Sequence, residues 1–290
     1  MAKWLLIDGF NLAFRSFYAI PNLARSDGFP TNAIHGWVRT LWSLQDKEKP
    51  DHIAVFFDLG GSHARLELHP EYKAHRSETP QALREQFPWI KKVTVALGIP
   101  LIEEYGVEAD DLVASAAIKL HNEGNEVYIV SADKDFGQLL CPGIYQLLPP
   151  PTANPKLGWR TLDEAGLLEK HFVKPNQIVD YLSLIGDASD NIPGIPGVGP
   201  KIAAKWIAEY GSIENILAKA NYIQPARFQL VIPAMKDALM RNIEMIRLNA
   251  QLKIDFISEP SPNIPTLKEI FETMEMKAIL KEAQRRFNFE

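Results

Sequence analysis

Three carboxylates fall within four residues of this sequence, at Glu108, Asp110 and Asp111, directly before an apolar helical run. The next cations along the chain are Lys119 and His121, more than one helical turn away. Packed carboxylates repel one another and are costly to desolvate unless a positive charge lies among them. Taken alone, such a segment is typical of a solvated helix start, because acids suit the positive end of the helix dipole.

Other acids of the chain favour a different interpretation. Asp8, Asp58 and Asp133 each stand at the C-terminal end of a predicted strand, which is the edge of a parallel sheet where sites form. One acid there is a common helix cap, but three are harder to explain in that way. Asp187 and Asp190 are three residues apart, and we expect them on one face of a helix. With Asp135 the candidate metal ligands are Asp8, Asp58, Glu108, Asp110, Asp111, Asp133, Asp135, Asp187 and Asp190.

Nine clustered carboxylates require cations among them. Oxygen ligands without histidine or cysteine partners favour Mg²⁺ or Mn²⁺ over zinc. We expect two or more ions, since six or more carboxylates around one ion would leave excess negative charge. Two such ions can flank a phosphodiester, where one activates water and the other stabilises the leaving oxygen.

The N-terminal half alternates predicted strands with helices. The predicted strands are short apolar runs at Lys3 to Ile7, His52 to Phe57, Gly98 to Ile102 and Glu126 to Ser131. Helical patterns lie between them, at Asn11 to Tyr18, at Ile34 to Leu44, in a run that ends at Leu97, and at Leu112 to Asn122. This alternation indicates an α/β fold with a central, mostly parallel sheet flanked by helices.

Beyond Leu148 the pattern changes to helices after a connection rich in Pro, Asn and Gly. The predicted helices are Leu162 to His171, Pro175 to Leu184, Ile202 to Tyr210, Ile213 to Ala220, Ala226 to Arg247 and the tail Leu267 to Phe287. We therefore expect an α/β core over residues 1–160 and a C-terminal helical region over residues 161–290.

Composition limits the partners of the chain. Its 290 residues are 46% hydrophobic, which is ample for a packed core, and its formal net charge is -5. A negative total argues against a polyanionic partner. However, setting the nine clustered acids aside leaves 27 of the 36 acids against 31 Lys and Arg, a remainder of +4. The charge therefore does not exclude nucleic acid binding.

Cellular location is expected to be the cytoplasm, in association with the nucleoid. The single cysteine, Cys141, excludes an intrachain disulfide, and no secretory leader is recognisable, which together indicate a reducing compartment. The first apolar stretch is interrupted by Asp8, so we expect neither a signal peptide nor a membrane span there.

A glycine-rich turn runs from Ile192 to Lys201 and precedes a predicted helix. Gly197 and Gly199 let a ligand approach the backbone, and the amides at the helix start can hold a phosphate beside Lys201. A bare Gly-x-Gly is more often an ordinary tight turn. Here the full spacing Gly-Val-Gly-Pro-Lys-Ile-Ala-Ala matches a helix–hairpin–helix pattern over about 184–211, which is more specific.

Seven segments in this order resemble the 5′ nuclease (flap endonuclease) family, above all the N-terminal 5′→3′ exonuclease domain of bacterial DNA polymerase I. They are Leu6–Gly9, Val55–Asp58, Glu71–Arg76, Glu108–Asp111, Ser131–Asp135, Gly186–Asn191 and Pro193–Lys201. The resemblance covers almost the whole chain. It implies a PIN-like nuclease core with a helical arch over the active site, here at about residues 60–105.

The resemblance also implies roles for single residues. The nine acids match positions that hold two or three divalent ions, partly through waters. Lys73 and Arg76 match arch residues that contact the scissile phosphate, and Tyr72 matches an aromatic position near the reacting nucleotide. Relatives bind K⁺ at the glycine-rich turn through backbone carbonyls, which correspond to Leu184, Ile185, Pro193, Ile195 and Val198. K⁺ there would bridge protein and DNA phosphate.

The hypothesis is therefore a monomeric enzyme that hydrolyses DNA near a 5′ end, at a flap, overhang or nick. Lys73 and Arg76 would stabilise charge on the phosphate, although a lysine considered alone is more often a solvated surface residue. Arg15 is a candidate either for a phosphate contact or for a salt bridge to a core acid. Two alternatives are a non-cutting protein that binds branched DNA and a PIN-type ribonuclease. The chain is expected to be either a free-standing nuclease or the front end of a polymerase.

Overall fold

The computed structural model of the protein describes residues 1–151, 154–255 and 261–289. Its strands are β1 (Lys3–Asp8), β2 (His52–Phe56), β3 (Leu101–Ile102), β4 (Glu126–Val130), β5 (Ile144–Leu148), β6 (Arg160–Leu162), β7 (Gly186–Asp187) and β8 (Ile192–Pro193). Its first seven α-helices are α1 (Gly9–Ala19), α2 (Asn32–Glu48), α3 (His63–Leu68), α4 (Gln81–Arg84), α5 (Phe87–Ala96), α6 (Ala109–Asn122) and α7 (Glu164–His171). The later ones are α8 (Ile178–Ile185), α9 (Pro200–Tyr210), α10 (Ile213–Ala218), α11 (Val231–Ala234), α12 (Lys236–Ile246), α13 (Ile264–Thr273) and α14 (Lys277–Phe287).

Six strands form one sheet in the order β3-β2-β1-β4-β5-β6. Neighbouring strands are parallel except for β5 and β6, which are antiparallel. Leu5, Leu6 and Ile7 of the central strand β1 are fully buried, because helices cover both faces of the sheet. The predicted α/β fold with a mostly parallel sheet is confirmed.

The strands β5 and β6, at one end of the sheet order, are absent from the sequence prediction. Leu162, predicted as the first residue of a helix, lies instead in β6 and pairs with Gln146. Helix α7 begins only at Glu164, because the side chain of Asp163 caps it by accepting a hydrogen bond from the backbone N–H of Gly166 at 2.8 Å.

Two long predicted helices are divided in the structure. The predicted helix Ala226 to Arg247 consists of a 3₁₀ turn, α11 and α12, and Pro233 lies in the first turn of α11, where its missing N–H is tolerated. The predicted tail helix divides into α13 and α14 at Glu275, whose left-handed backbone (φ 54°) ends a helix. In residues 1–151, 154–255 and 261–289, no helix has the length and apolarity that crossing a membrane requires.

Three hydrophobic cores hold the molecule together. One face of the sheet packs on α1, α2 and α5, and the opposite face packs on α6. Helices α7 to α12 enclose a separate core around Trp206 and Phe228. The tail helices α13 and α14 do not join that core, since Leu267 and Phe271 pack beside Trp42 in the first one. The region predicted as one helical unit over 161–290 thus contributes to all three cores, since Leu248 and Ile254 pack in the core around α6.

The range predicted as the arch, about residues 60–105, contains two different parts. Its second part contributes α5, whose Ile90 and Val93 are buried in the first core, and the sheet strand β3. Only residues 62–76, called the arch segment below, contact the acidic residues at the carboxyl edge of the sheet.

The side chain of Gln86 is buried and forms hydrogen bonds with the first residues of α2. Its Oε1 accepts hydrogen bonds from the backbone N–H groups of Ala33 (2.8 Å) and Ile34 (3.1 Å), and its Nε2 donates to Asn32 Oδ1 (2.9 Å). These bonds satisfy amides that have no partner within the helix.

We predict that Gln86→Leu lowers the free energy of unfolding by about 2–3 kcal/mol, because buried amides lose their acceptor. Urea unfolding followed by circular dichroism measures the change. Gln81→Leu is the control, since Gln81 is exposed and its side chain bonds to the exposed Glu85. Equal unfolding midpoints for the two variants would contradict this role of Gln86.

Candidate active site

The topology brings Asp8, Asp58 and Asp133 to one edge of the sheet, as predicted. Asp8 ends β1 and caps α1, and its two oxygens accept hydrogen bonds from Asn11 N–H (3.1 Å) and the Ser131 hydroxyl (2.8 Å). Asp58 follows β2 and accepts from the backbone N–H of Ala109 at the start of α6. The local hydrogen bonds therefore fix the carboxylates before any ligand arrives.

These acids line a cleft of about 510 Å³. Four carboxylates, the two arch cations and aromatic side chains contribute to it, including Asp8, Asp58, Asp110, Asp133, Lys73 and Arg76. Burial raises the pKa of the Asp8 carboxyl to about 6, against the hydrogen bonds from Asn11 and Ser131. Burial, together with Asp8 and Asp133, also raises the pKa of Asp110 well above its usual range. The cleft thus brings together four carboxylates and two cationic side chains, so carboxylates outnumber cations in its lining.

A second acidic group adjoins the cleft at Asp135, Asp187 and Asp190. Burial and the charge of Asp133 raise the pKa of Asp135 well above its usual range. The predicted placement of Asp187 and Asp190 on one helical face is wrong, since Asp187 ends β7 and Asp190 lies in the turn before β8. Asp187 pairs with Lys134 at 2.9 Å, whereas Asp190 turns towards the arch segment.

Glu108 and Asp111 are buried beside a cation that the sequence reasoning missed. Arg65 of α3 is 6% exposed and bonds to Glu108 Oε2 at 2.6 Å and to both oxygens of Asp111 at 2.7 and 3.0 Å. Its Nε donates to the carbonyl of Met245 at 2.8 Å, and Asp111 also accepts from Asn249 N–H at 2.9 Å. Both oxygens of Asp111 are therefore engaged within the protein. Its role as a metal ligand stays a prediction.

The charged side chains of the arch segment bond to carboxylates in this structure. Lys73 Nζ bonds to Glu108 Oε1, and Arg76 bonds to Asp190 Oδ1. Burial alone would lower the pKa of Lys73, but Glu108 and Asp190 raise it. Tyr72, predicted near the reacting nucleotide, is 7% exposed, and its hydroxyl lies 3.2 Å from both Glu108 and Asp190.

Arg15 forms no salt bridge to a core acid among the residues that the structure describes, and its contact with a phosphate stays a prediction. Its guanidinium donates to the backbone carbonyl of Pro150 and tethers α1 to the end of β5. The cleft also contains Phe10, Asn11 and Phe14, which sequence reasoning did not select. These residues lie in the helix that follows Asp8, and their position near this acid could have indicated that they line the cleft.

The glycine-rich turn joins α8 to α9 through the β7–β8 hairpin, as the helix–hairpin–helix pattern predicts. Gly199 is the N-cap of α9, with open space where a side chain would lie, and Lys201 is exposed. Gly197 has φ 81°, the left-handed region that favours glycine. Among the carbonyls predicted to bind K⁺, those of Leu184, Ile195 and Pro193 accept hydrogen bonds from Ile195, Val198 and Asn242.

The donor set of the cleft fits hard divalent ions, because it consists of carboxylate oxygens. In the part of the chain that the structure describes, no three Asp, Glu, His or Cys side chains are already arranged to hold one ion. Mg²⁺ keeps several waters and commonly binds through one or two carboxylates, so this spacing suits it. Asp8, Asp58, Asp110 and Asp133 are the residues that would hold such ions.

Residues 3–171 match the family described as 5′-3′ exonuclease, N-terminal resolvase-like domain, and residues 173–278 match 5′-3′ exonuclease, C-terminal SAM fold. A 5′-3′ exonuclease of Aquifex aeolicus (strain VF5) is 38% identical over 292 residues, covering 99% of this chain and 97% of the relative. The chain belongs to the 5′-3′ exonuclease family. It is a nuclease with the fold class that the sequence predicts.

Other relatives of this exonuclease are longer. DNA polymerase I of Mycobacterium tuberculosis (strain ATCC 25618 / H37Rv) is 41% identical over 250 residues, which cover 86% of this chain. The aligned part is 26% of that polymerase, so the chain spans about a quarter of its length.

Solved structures share the fold of the exonuclease. A variant of the bacteriophage T5 D15 flap endonuclease, solved with DNA and metal ions, is 27% identical with a TM-score of 0.69, covering 94% of this chain and 99% of that one. The catalytic core of Rad2 in complex with DNA substrate has a TM-score of 0.62 at 16% identity, covering 94% and 87% of the two chains. The Rad2 likeness shows the fold alone.

Removing Arg65 should leave Glu108 and Asp111 buried without their shared cation. We predict that Arg65→Met lowers the free energy of unfolding by about 3–5 kcal/mol, the usual cost of breaking a buried ion pair. Chemical denaturation at neutral pH measures it. Arg84→Met is the control, because Arg84 is exposed and lies 3.7 Å from Glu78. A small, equal effect of both substitutions would contradict the structural role of Arg65.

Proposed function

We propose that this exonuclease is a structure-specific 5′ nuclease that hydrolyses DNA phosphodiesters near 5′ ends, with Mg²⁺ or Mn²⁺ as cofactor. The observation that carries the proposal is the cleft itself. Four carboxylates, Asp8, Asp58, Asp110 and Asp133, line the same opening as the two arch cations Lys73 and Arg76. A phosphodiester with bound divalent ions has the charge distribution that complements both groups.

The acids have the metal-binding role in this proposal. When bound, two or more divalent ions supply a nucleophilic water and stabilise the leaving oxygen. Asp8, Asp58, Asp110 and Asp133 hold the ions, and the second acidic group around Asp187 and Asp190 extends the same surface. Burial raises the pKa of Asp8, and a bound divalent charge would favour its ionised form.

The arch cations position and stabilise the phosphate. Lys73 and Arg76 now neutralise Glu108 and Asp190, and they exchange these partners for phosphate oxygens when the substrate enters. Their donors then lie where negative charge develops in the transition state, and this kind of stabilisation is the usual large contribution to catalysis. Tyr72 lies beside Lys73 in the same segment, and its side chain presents the ring to the nucleotide beside the scissile bond.

Duplex DNA is proposed to bind at the glycine-rich turn. Gly197 and Gly199 leave the backbone accessible, and the amides at the start of α9 point towards a phosphate beside Lys201. K⁺ held by the carbonyls of Leu184, Ile185, Pro193, Ile195 and Val198 would join that phosphate to the protein. The substrate is DNA with a 5′ flap, overhang or nick.

We further propose that the protein acts as a cytoplasmic monomer, together with a DNA polymerase in cis or in trans. Support comes from the polymerase I relatives, in which a similar segment occupies about a quarter of the chain.

Cleavage of a 5′-labelled DNA flap with Mg²⁺, with and without chelator, tests the function. We expect cleavage near the junction that the chelator abolishes. An intact substrate under both Mg²⁺ and Mn²⁺, despite measurable binding, would contradict the nuclease and support a non-cutting DNA-binding protein. Faster cleavage of a matched RNA flap would instead favour a ribonuclease.

Two substitutions should separate turnover from DNA binding. Asp187→Asn removes a proposed metal ligand, so we expect kcat to fall by about 10-fold or more while the Kd for flap DNA changes little. Gly199→Val adds a side chain to the open space at the start of α9, so we expect weaker DNA binding with an intact fold. Single-turnover cleavage and fluorescence anisotropy measure the two effects. Normal turnover by Asp187→Asn would show that this acid is structural.

A further inference from the structure

The turn at residues 188–191, between β7 and β8, forms hydrogen bonds with the arch segment. Arg76 Nε donates to the carbonyl of Ser189 at 3.3 Å, and Lys73 N–H donates to the carbonyl of Asp190 at 3.1 Å. Asn191 adds two bonds to the same segment. Residues 69–76 are therefore held to a turn more than one hundred positions away in sequence.

Asn191 contacts the arch segment through its side chain and through its backbone. Its side-chain Nδ2 donates to the carbonyl of Glu71 at 2.9 Å, and its backbone carbonyl lies 3.1 Å from His69 Nε2. Its backbone is left-handed, with φ 58°, a conformation that asparagine tolerates better than most residues. Asparagine therefore both adopts the left-handed backbone conformation and provides the amide donor.

The backbone of Lys73 is also left-handed, with φ 58°. A lysine in this region is uncommon, and such strain persists only where the surroundings enforce it. The bond from Lys73 N–H to Asp190 and the bonds of Asn191 to Glu71 and His69 provide that constraint on both sides of Tyr72.

These contacts differ from the other bonds of the arch segment in one respect. The side chains of Tyr72, Lys73 and Arg76 bond to the carboxylates of Glu108 and Asp190. A metal ion would compete for these carboxylates, and a substrate phosphate would compete for Lys73 and Arg76. The two bonds of Asn191 involve no carboxylate. They can remain while the side chains change partners.

We infer that Asn191 is a positioning residue, which holds the backbone of residues 69–73 so that Lys73 and Arg76 reach the scissile phosphate. This inference rests on the proposed nuclease function. Asn191 itself touches neither substrate nor metal ions in this account, and it acts through the arch segment.

Asn191→Gly tests the inference, because glycine keeps the left-handed backbone and removes only the amide. We expect kcat on the 5′-labelled flap to fall about tenfold, the effect of losing roughly one hydrogen bond of positioning, with KM within about twofold of the parent. Asn22→Gly is the matched control, since Asn22 is exposed and has φ 60°. We expect it to cleave like the parent.

The Lys73→Ala background distinguishes positioning from general stability. If Asn191 acts by placing Lys73, the further loss from Asn191→Gly is clearly smaller there than in the parent, because the two effects share one cause. An equal fold-loss in both backgrounds, or parental kcat in Asn191→Gly, would overturn the inference.

Hydrogen–deuterium exchange without DNA gives an independent measurement. Asn191→Gly should increase exchange in residues 69–76, whereas Asn22→Gly should not. If the parent fails to cut any flap, the proposed function fails, and the exchange result still decides whether Asn191 holds the arch segment. Unchanged exchange in Asn191→Gly would overturn the inference regardless of activity.

Discussion

Repulsion between buried carboxylates is the constraint on which the rest of this structure depends. The parallel sheet directs the ends of β1, β2 and β4 to one edge, and each end brings an acid there. Burial raises the pKa of Asp8 and of Asp110 above their usual ranges, so the arrangement is unfavourable for the protein alone. A fold that maintains it gains something from the charge, which for a nuclease is binding of divalent ions.

The cations around these acids differ in their burial and in the number of acids they bind. Arg65 is buried and bonds to both Glu108 and Asp111, so it anchors α3, the first part of the arch segment, to α6. Lys73 and Arg76 are more exposed than Arg65, and each pairs with a single acid, Lys73 with Glu108 and Arg76 with Asp190. Arg65 therefore maintains the architecture, while Lys73 and Arg76 can move to a substrate phosphate. The ion pairs of Arg65 thus contribute to stability, whereas those of Lys73 and Arg76 leave these two cations available for catalysis.

Much of the fold could be predicted from local sequence patterns. The buried strands are short apolar runs, and three of them end in an acid, which was sufficient to predict both the sheet and its active edge. The ion pair of Arg65 could not be predicted in this way, because it joins residues 43 and 46 positions apart. Asp187 and Asp190 were predicted on a helix because spacing alone cannot distinguish a helical face from a hairpin turn. The family resemblance placed Tyr72 near the reacting nucleotide, but sequence does not show that its hydroxyl lies between two buried acids.

A crystal structure with Mn²⁺, located by its anomalous scattering, tests the central claim most directly. The account predicts Mn²⁺ between Asp8, Asp58, Asp110 and Asp133, with the bonds of Arg65 to Asp111 unchanged. Anomalous density that is absent from this cleft at saturating Mn²⁺, or that appears only where Arg65 now lies, would contradict it.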